Sequence, residues 1–314
     1  MSVAQSPHEI INGKELPSTG LYDAVDLEEL RRYEVIADRV AVLEYLEQAE
    51  EVDGFHTAGN RRVSIHSFVF DAIREGSERP EYVMKVLAPV GRPAEKDVVP
   101  KEVELLDELS GHPNIPTLSS YGWIEGTEDR PGTWYYITEK AMRGRLSDQP
   151  IAESEATARQ YLGHLADSVA GLGELHARGY AHNDFKGENV YIQSDGVAVL
   201  GDLGSAVPLG LPEGSIPKMD VTPMRFAPEL EDAAVMPSET TDTYEVGAAM
   251  VYDLLATKFH RMTEGVKPQE ILGDPVRFYD PRAVDLAASM VDSPENRPTH
   301  QESLSELESL AIAA

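Results

Sequence analysis

Apolar residues recur at helical spacing in DLEELRRYEVIADRVAVLEYLEQAEE, where Leu27, Leu30, Tyr33, Val40, Leu43 and Leu46 fall on one side. Asp26 followed by Glu29 has the form of a capping box, so a helix is predicted over 26–50. Its stripe has to be buried, either in cis, which is the expectation, or by a partner; residues 1–24 before it are polar and read as a flexible arm. From 61 to 87 the pattern shortens to runs rich in Val, Ile, Phe and Tyr (RRVSIHSFVFDAI, EYVMKVLA) around the turn signal REGSERP, a predicted β-hairpin. A helix follows from Pro100, with Val103, Leu106 and Leu109 on one face, then strands near 117–124 and 133–139. Beyond the polar break RGRLSDQP the period becomes helical. ATARQYLGHLADSVAGLGELHA stops at Gly179, DTYEVGAAMVYDLLAT is apolar almost all round and so predicted central, and helices close the chain near 280–292 and 300–312. No internal repeat is visible. The fold class expected is α+β in two lobes, a β-rich one over 51–142 and a helical one over 143–314, with a crevice between them.

Composition narrows this picture little. The 314 residues and 41% hydrophobic content suit one or two ordinary cores. No apolar run approaches the ~18 residues of a membrane span, and the polar start MSVAQSPHEIINGKELPSTG has no secretion-signal pattern, so a soluble cytoplasmic protein is expected. Cysteine is absent, which removes disulfide and thiol chemistry. A net charge of −28, from 55 acidic and 27 basic residues, argues against nucleic acid and anionic lipid as partners. A solvated acidic surface, adaptation to high salt and an acidic face for a basic partner all fit that charge, and composition does not separate them.

The chemistry-bearing stretch is GYAHNDFKGENVYI. Asp184 and Asn189 stand five positions apart with Lys186 between them, and Asp202 of VLGDLGSA follows thirteen positions after Asn189. Moving a γ-phosphoryl group to a hydroxyl needs convergent oxygens for magnesium, a carboxylate to orient the hydroxyl and a cation to offset charge on the transferred group. Asn189 and Asp202 can supply the metal oxygens, Asp184 the base and Lys186 the cation. Any one of these residues alone would serve equally well as a turn or capping residue. Their correlated spacing carries the reading.

HNDFKGEN and DLG resemble the catalytic loop and the metal-binding motif of the eukaryotic-type protein kinase family, with Leu203 an apolar replacement in the latter. YVMKVLA resembles its strand-borne lysine motif, which implies that Lys85 grips the α- and β-phosphates of ATP and Glu102 of KEVELLDEL pairs with it. By the same resemblance, Thr138 in YYITEKAMRGRL is the gatekeeper, the backbone of Glu139 and Ala141 faces adenine, and Val69, Val83 and Tyr191 line its pocket. HPNIPTL, RFAPEL, DTYEVG and ENRPT follow in family order, implying that Thr222 contacts the catalytic loop, Asp242 braces its backbone and Arg297 pairs with Glu229. The resemblance covers roughly 55–302 and implies a Mg2+- or Mn2+-dependent transfer from ATP to a protein. Lys186, two after Asp184, is the Ser/Thr pattern.

Departures from the pattern matter as much. Asn183 replaces an arginine that in relatives binds a phosphorylated activation loop, so the segment 202–229 is expected to be set without that switch. Anchored on Val69, the phosphate-loop glycines become Arg62, Ser64 and Ser67, and an alternative register uses Gly59. Weaker ATP positioning and slow turnover are expected, and Val83 with Tyr191 should make the adenine pocket tighter and flatter. His182 reads as a packed structural histidine and Trp123 and Trp134 as packing residues. The alternatives are a pseudokinase that binds nucleotide or protein without transfer, and a small-molecule kinase, against which RFAPEL, Asp242 and Arg297 argue.

Overall fold

The computed structural model describes residues 10–11, 14–15, 46, 52–63, 67–87, 94–127, 131–149, 154–212, 225–232, 234–255, 268, 272 and 280–312. The chain divides into two compact units, Met1–Val103 with Leu118–Lys140 and Glu104–Thr117 with Ala141–Ala314.

In the first unit, β1 (Ile10–Ile11) and β2 (Lys14–Glu15) pair as a short ribbon inside the segment expected to be an arm. Then come β3 (Phe55–Val63), β4 (Ser67–Arg74), β5 (Tyr82–Leu87), β6 (Leu118–Ile124) and β7 (Thr133–Glu139); the helix α1 (Lys101–Glu108), which lies between β5 and β6 in sequence, starts in this unit and ends in the second. The five longer strands form one antiparallel sheet ordered β3-β4-β5-β7-β6. RRVSIHSFVFDAI, read from sequence as one side of a hairpin, contains two strands. β3 begins at Phe55, and its polar stretch Gly59–Arg62 is tolerated because β3 is an edge strand with a register shift between Ala58 and Arg61.

Strand alternation gives the sheet two different faces. Phe68, Phe70, Ala72, Met84, Val86, Tyr135 and Ile137 turn to one side and form a buried core with Leu46 and Phe55. Leu46 is the only residue described from the predicted helix over 26–50; it is helical, fully buried in that core, and its carbonyl accepts the Thr57 hydroxyl at 3.1 Å. The rest of that helix lies outside the described residues. Trp123 and Trp134 meet edge to face at 5.8 Å, the packing role expected of them.

The second unit contains α2 (Glu155–Ala177), the short strands β8 (Tyr180–Ala181), β9 (Val190–Ile192), β10 (Ala198–Leu200) and β11 (Val207–Pro208), and the helices α3 (Glu239–Ala249), α4 (Pro281–Met290) and α5 (His300–Ile312). Ser154 with Thr157 caps α2, and Ser238 with Thr241 caps α3. Gly179, at φ +82°, turns the chain out of α2. Every residue of α3 from Thr241 to Ala249 is buried, as its all-round apolar pattern predicts, and the chain continues as a π-helical stretch over Met250–Leu255. β8 pairs with β11 and β9 with β10, so the loop 182–189 is tethered at both ends. Among the described residues no helix is long and apolar enough to cross a membrane.

Candidate active site

In the first unit the site-bearing residues share the sheet face opposite the apolar core. Val69 lies opposite Arg62 on β3 and Lys85 on β5; Lys85 lies opposite Tyr136, and Val83 opposite Thr138. Directly opposed residues point to the same side, so Val69, Val83, Lys85, Tyr136 and Thr138 form one surface. Lys85 Nζ donates to Glu102 Oε1 at 2.7 Å, and the Tyr136 hydroxyl donates to the same oxygen at 2.8 Å. The Lys85 and Glu102 side chains are only 13% and 7% exposed. The sequence reading had no role for Tyr136, which gives that carboxylate oxygen a second donor beside Lys85. Ser67 starts β4 and is buried, Glu139 ends β7, and Ala141 follows it by two residues at the start of the second unit's later segment. Ser64 lies outside the described residues, as does Thr222.

In the second unit Lys186 Nζ reaches both oxygens of Asp184, at 2.9 and 2.6 Å. Asn189 Nδ2 donates to the Asp184 carbonyl at 2.9 Å and to its carboxylate at 3.0 Å. That spends the amide's donor side on Asp184 and turns its oxygen, Oδ1, to other use. The Asn189 carbonyl accepts the Gly201 N–H at 2.9 Å, which brings the loop beside the residue that precedes Asp202. Asp202 is exposed and left-handed, at φ 58° and ψ 61°, while Leu203 after it is buried. An amide oxygen and one carboxylate, with phosphate and water oxygens completing the set, suit magnesium, which seldom takes an all-protein cage. The described residues hold no group of three or more acidic, His or Cys side chains that could bind a metal by themselves. Tyr191 lies against Gly201: a Cβ there would come within 2.8 Å of its ring.

The loop backbone is held from below. Asp242, fully buried, accepts the His182 N–H at 2.8 Å, the Asn183 N–H at 2.8 Å and His176 Nε2 at 2.7 Å. His182 Nδ1 accepts the Asp184 N–H at 3.3 Å, so Nε2 carries the proton it donates to the Gly201 carbonyl at 3.1 Å. His182 is thus the structural histidine expected. Glu245 Oε2 accepts the Phe185 N–H at 2.7 Å. Further along, Arg297 is bidentate to Glu229, stacks on Tyr244 at 4.9 Å and donates to the carbonyls of Thr240 and Asp292.

Sequence reasoning did not single out His176, Glu245 or Arg225. A glutamate inside an otherwise apolar, central helix was the available signal for Glu245. Arg225, whose side chain is 12% exposed, pairs with Glu188 at 3.0 Å and with Asp253 at 3.6 Å.

The first unit thus carries an ion-paired lysine and glutamate, and the second an Asp–Lys–Asn cluster on the loop that leads to Asp202. The protein kinase domain family matches residues 66–306. The chain belongs to the protein kinase family. It is 31% identical over 154 residues to the serine/threonine-protein kinase GRIK1 of Arabidopsis thaliana, covering 48% of this chain and 37% of that protein. With the Wee1-like protein kinase of Oryza sativa subsp. japonica it shares 25% over 312 residues, 96% of this chain and 52% of that one. With the serine/threonine-protein kinase PknG of Mycolicibacterium smegmatis it shares 28% over 238 residues, 73% and 28% of the two chains. The chain therefore spans between about a quarter and half of the length of these relatives.

Proposed function

We propose that the chain transfers the γ-phosphoryl group of ATP to a Ser or Thr hydroxyl of a protein, with Mg2+ (or Mn2+) as cofactor, in a cytoplasmic setting. The observation that carries this reading is the Asp184 carboxylate held by Lys186 at both oxygens and by the Asn189 amide. So held, Asp184 accepts the hydrogen bond of an incoming hydroxyl and aims it, and Lys186 offsets charge on the group being transferred. Asn189 Oδ1 and the Asp202 carboxylate would hold the metal, which would supply positive charge to offset that of the phosphate oxygens. Lys85, kept extended by Glu102, pairs with the α- and β-phosphates, and Val69, Val83, Thr138 and Tyr191 border the base.

Independence from activation-loop phosphorylation is supported by Arg225. Asn183 offers no cation for a phosphate, but Arg225 ties the end of the segment to Glu188 of the catalytic loop and to Asp253. Transfer of labelled phosphate from Mg-ATP to a generic protein substrate or to the chain itself tests the proposal, with Asp184→Asn and Asp202→Asn as controls. Equal labelling by the wild type and both variants overturns it. One observation favours a nucleotide-binding pseudokinase instead: Arg62, not glycine, sits on β3 opposite Val69. A melting temperature raised by ATP only with the metal, in a chain that never labels substrate, would select that reading.

A further inference from the structure

All four backbone N–H groups of residues 182–185 have acceptors: that of Asp184 goes to His182 Nδ1 within the loop, and the other three go to two carboxylates of α3. Those of His182 and Asn183, before Asp184, go to Asp242; that of Phe185, after it, goes to Glu245. Asp242 and Glu245 are three residues apart on α3, hence on one face, and only 0% and 3% exposed. Two buried carboxylates on neighbouring positions cannot both remain charged without a large penalty. Asp242 receives three donors and is the better stabilised anion. For Glu245, burial pushes the carboxyl well above the ordinary carboxylate range, the Asp242 and Asp184 charges push it the same way, and the Phe185 N–H and Lys186 oppose them.

We propose that Glu245 is a positioning residue for phosphoryl transfer: a neutral carboxyl that accepts the Phe185 N–H and fixes the backbone on the far side of Asp184, while ionised Asp242 fixes the near side. This rests on the phosphotransfer reading above and adds a residue to it. The role is indirect, since Glu245 acts through Phe185 on where the Asp184 carboxylate stands relative to Lys186 and Asn189.

Glu245→Gln keeps the shape, the acceptor and the neutrality; Glu245→Ala removes the acceptor. In the full chain, Glu245→Gln retains kcat, the KM for ATP and the slow amide exchange of the 182–189 peptide. Glu245→Ala lowers kcat by about 10- to 100-fold, the cost of a slightly misplaced catalytic group, leaves the KM for ATP unchanged and speeds that exchange. The pH dependence of melting gives a third readout. A carboxyl whose folded pKa is raised favours folding below its unfolded pKa and loses that contribution as pH rises through the folded value. Glutamine cannot ionise, so the melting temperature of Glu245→Gln should gain on the wild type as pH rises from about 5 to about 8. A Gln variant as slow and as rapidly exchanging as the Ala variant overturns the proposal, as does an Ala variant indistinguishable from wild type. If Glu245→Ala does not fold, Glu245→Gln decides alone: retained protection with a pH-dependent gain supports the assignment, and lost protection or a constant gap overturns it. A wild type that transfers no phosphate defeats the phosphotransfer reading, while exchange and melting still judge the placement of Glu245.

Discussion

Replacing Asp242 by Asn should cost about 2–4 kcal/mol, and the structure shows where the loss arises. Its two oxygens accept two loop N–H groups and His176 Nε2, all at 2.7–2.8 Å, in a fully buried position. With the amide oxygen in the place of Oδ2, the bonds from His182 and His176 survive but become neutral ones, while the NH2 group faces the Asn183 N–H. One charge-assisted bond is then lost, at about 1.5–3 kcal/mol, and a buried donor is left unpaired, at about 1–3 kcal/mol, with overlap between the two penalties. Asn183 is already left-handed, at φ 61°, so the loop has little capacity to relax around the mismatch. Against a total stability of about 5–15 kcal/mol this is a large fraction. Both tryptophans belong to the first unit, so urea unfolding should be followed by helical circular dichroism, which reports α2 to α5. The midpoint should fall by about 1 M or more. A midpoint within experimental scatter of the wild type would refute the account of Asp242 as the anchor of the catalytic loop.

Arg225→Ala strips the cation from Glu188 and Asp253 and should lower kcat by about ten-fold or more through a loosened catalytic loop. Phosphatase treatment of the wild type should leave the rate unchanged, and a rate that collapses on dephosphorylation refutes phosphorylation independence. Gly171→Ala should destabilise by about 1–3 kcal/mol, although Ala normally favours helix by up to about 1 kcal/mol, because its Cβ would sit 2.5 Å from the Asn114 carbonyl. Thermal melts that show a stabilised variant would contradict that packing. Burial lowers the pKa of His164 and of His300, the latter also through His176, so unfolding takes up protons in acid. The stability these histidines contribute is present above their unfolded pKa of 6.5 and is lost as pH falls below it. Melting temperatures should drop from about pH 7.5 to about pH 5.5, less steeply in His164→Gln and His300→Gln, and identical slopes in all three proteins refute the assignment.

Periodicity made the large elements legible. The α2 and α3 helices announce themselves by apolar spacing, and β4, β5 and β7 by β-branched and aromatic runs. β3 was hidden because an edge strand need not alternate cleanly, and its Gly59–Arg62 stretch looks like a loop. The Asp184, Lys186 and Asn189 cluster was legible because its spacing is short and local, so the geometry follows from one turn of chain. Glu245, Arg225 and Tyr136 were not, since each acts through a contact dozens of residues away in sequence. Phe185 to Glu245 spans 60 positions, and Glu188 to Arg225 spans 37. Nothing local in a sequence separates a buried carboxylate with a partner from an exposed one without.

The acidic surplus sharpens the question of how such a chain could receive a polyanion. With 55 acids against 27 bases, an unscreened carboxylate near the catalytic loop would repel phosphate. Around that loop, several described carboxylates face a cation or a set of donors, Asp253 among them through Arg225. Asp184 faces Lys186, Glu188 faces Arg225, and Glu245, on the proposal above, carries a proton. Asp242 is an anion enclosed by three donors, and Asp202, exposed at the loop's edge, is the carboxylate proposed for the metal. On the first unit Glu102 is held by Lys85 and Tyr136. These pairs are mostly buried, unlike a surface pair such as Lys96 with Glu125, whose side chains are 57% and 69% exposed, so salt screens them least. The −28 net charge therefore does not describe the local field at the candidate site. A neutral Glu245 becomes part of the same logic: a second buried anion three residues from Asp242 would add negative charge beneath Asp184 with no ion-pair partner of its own among the described residues to offset it.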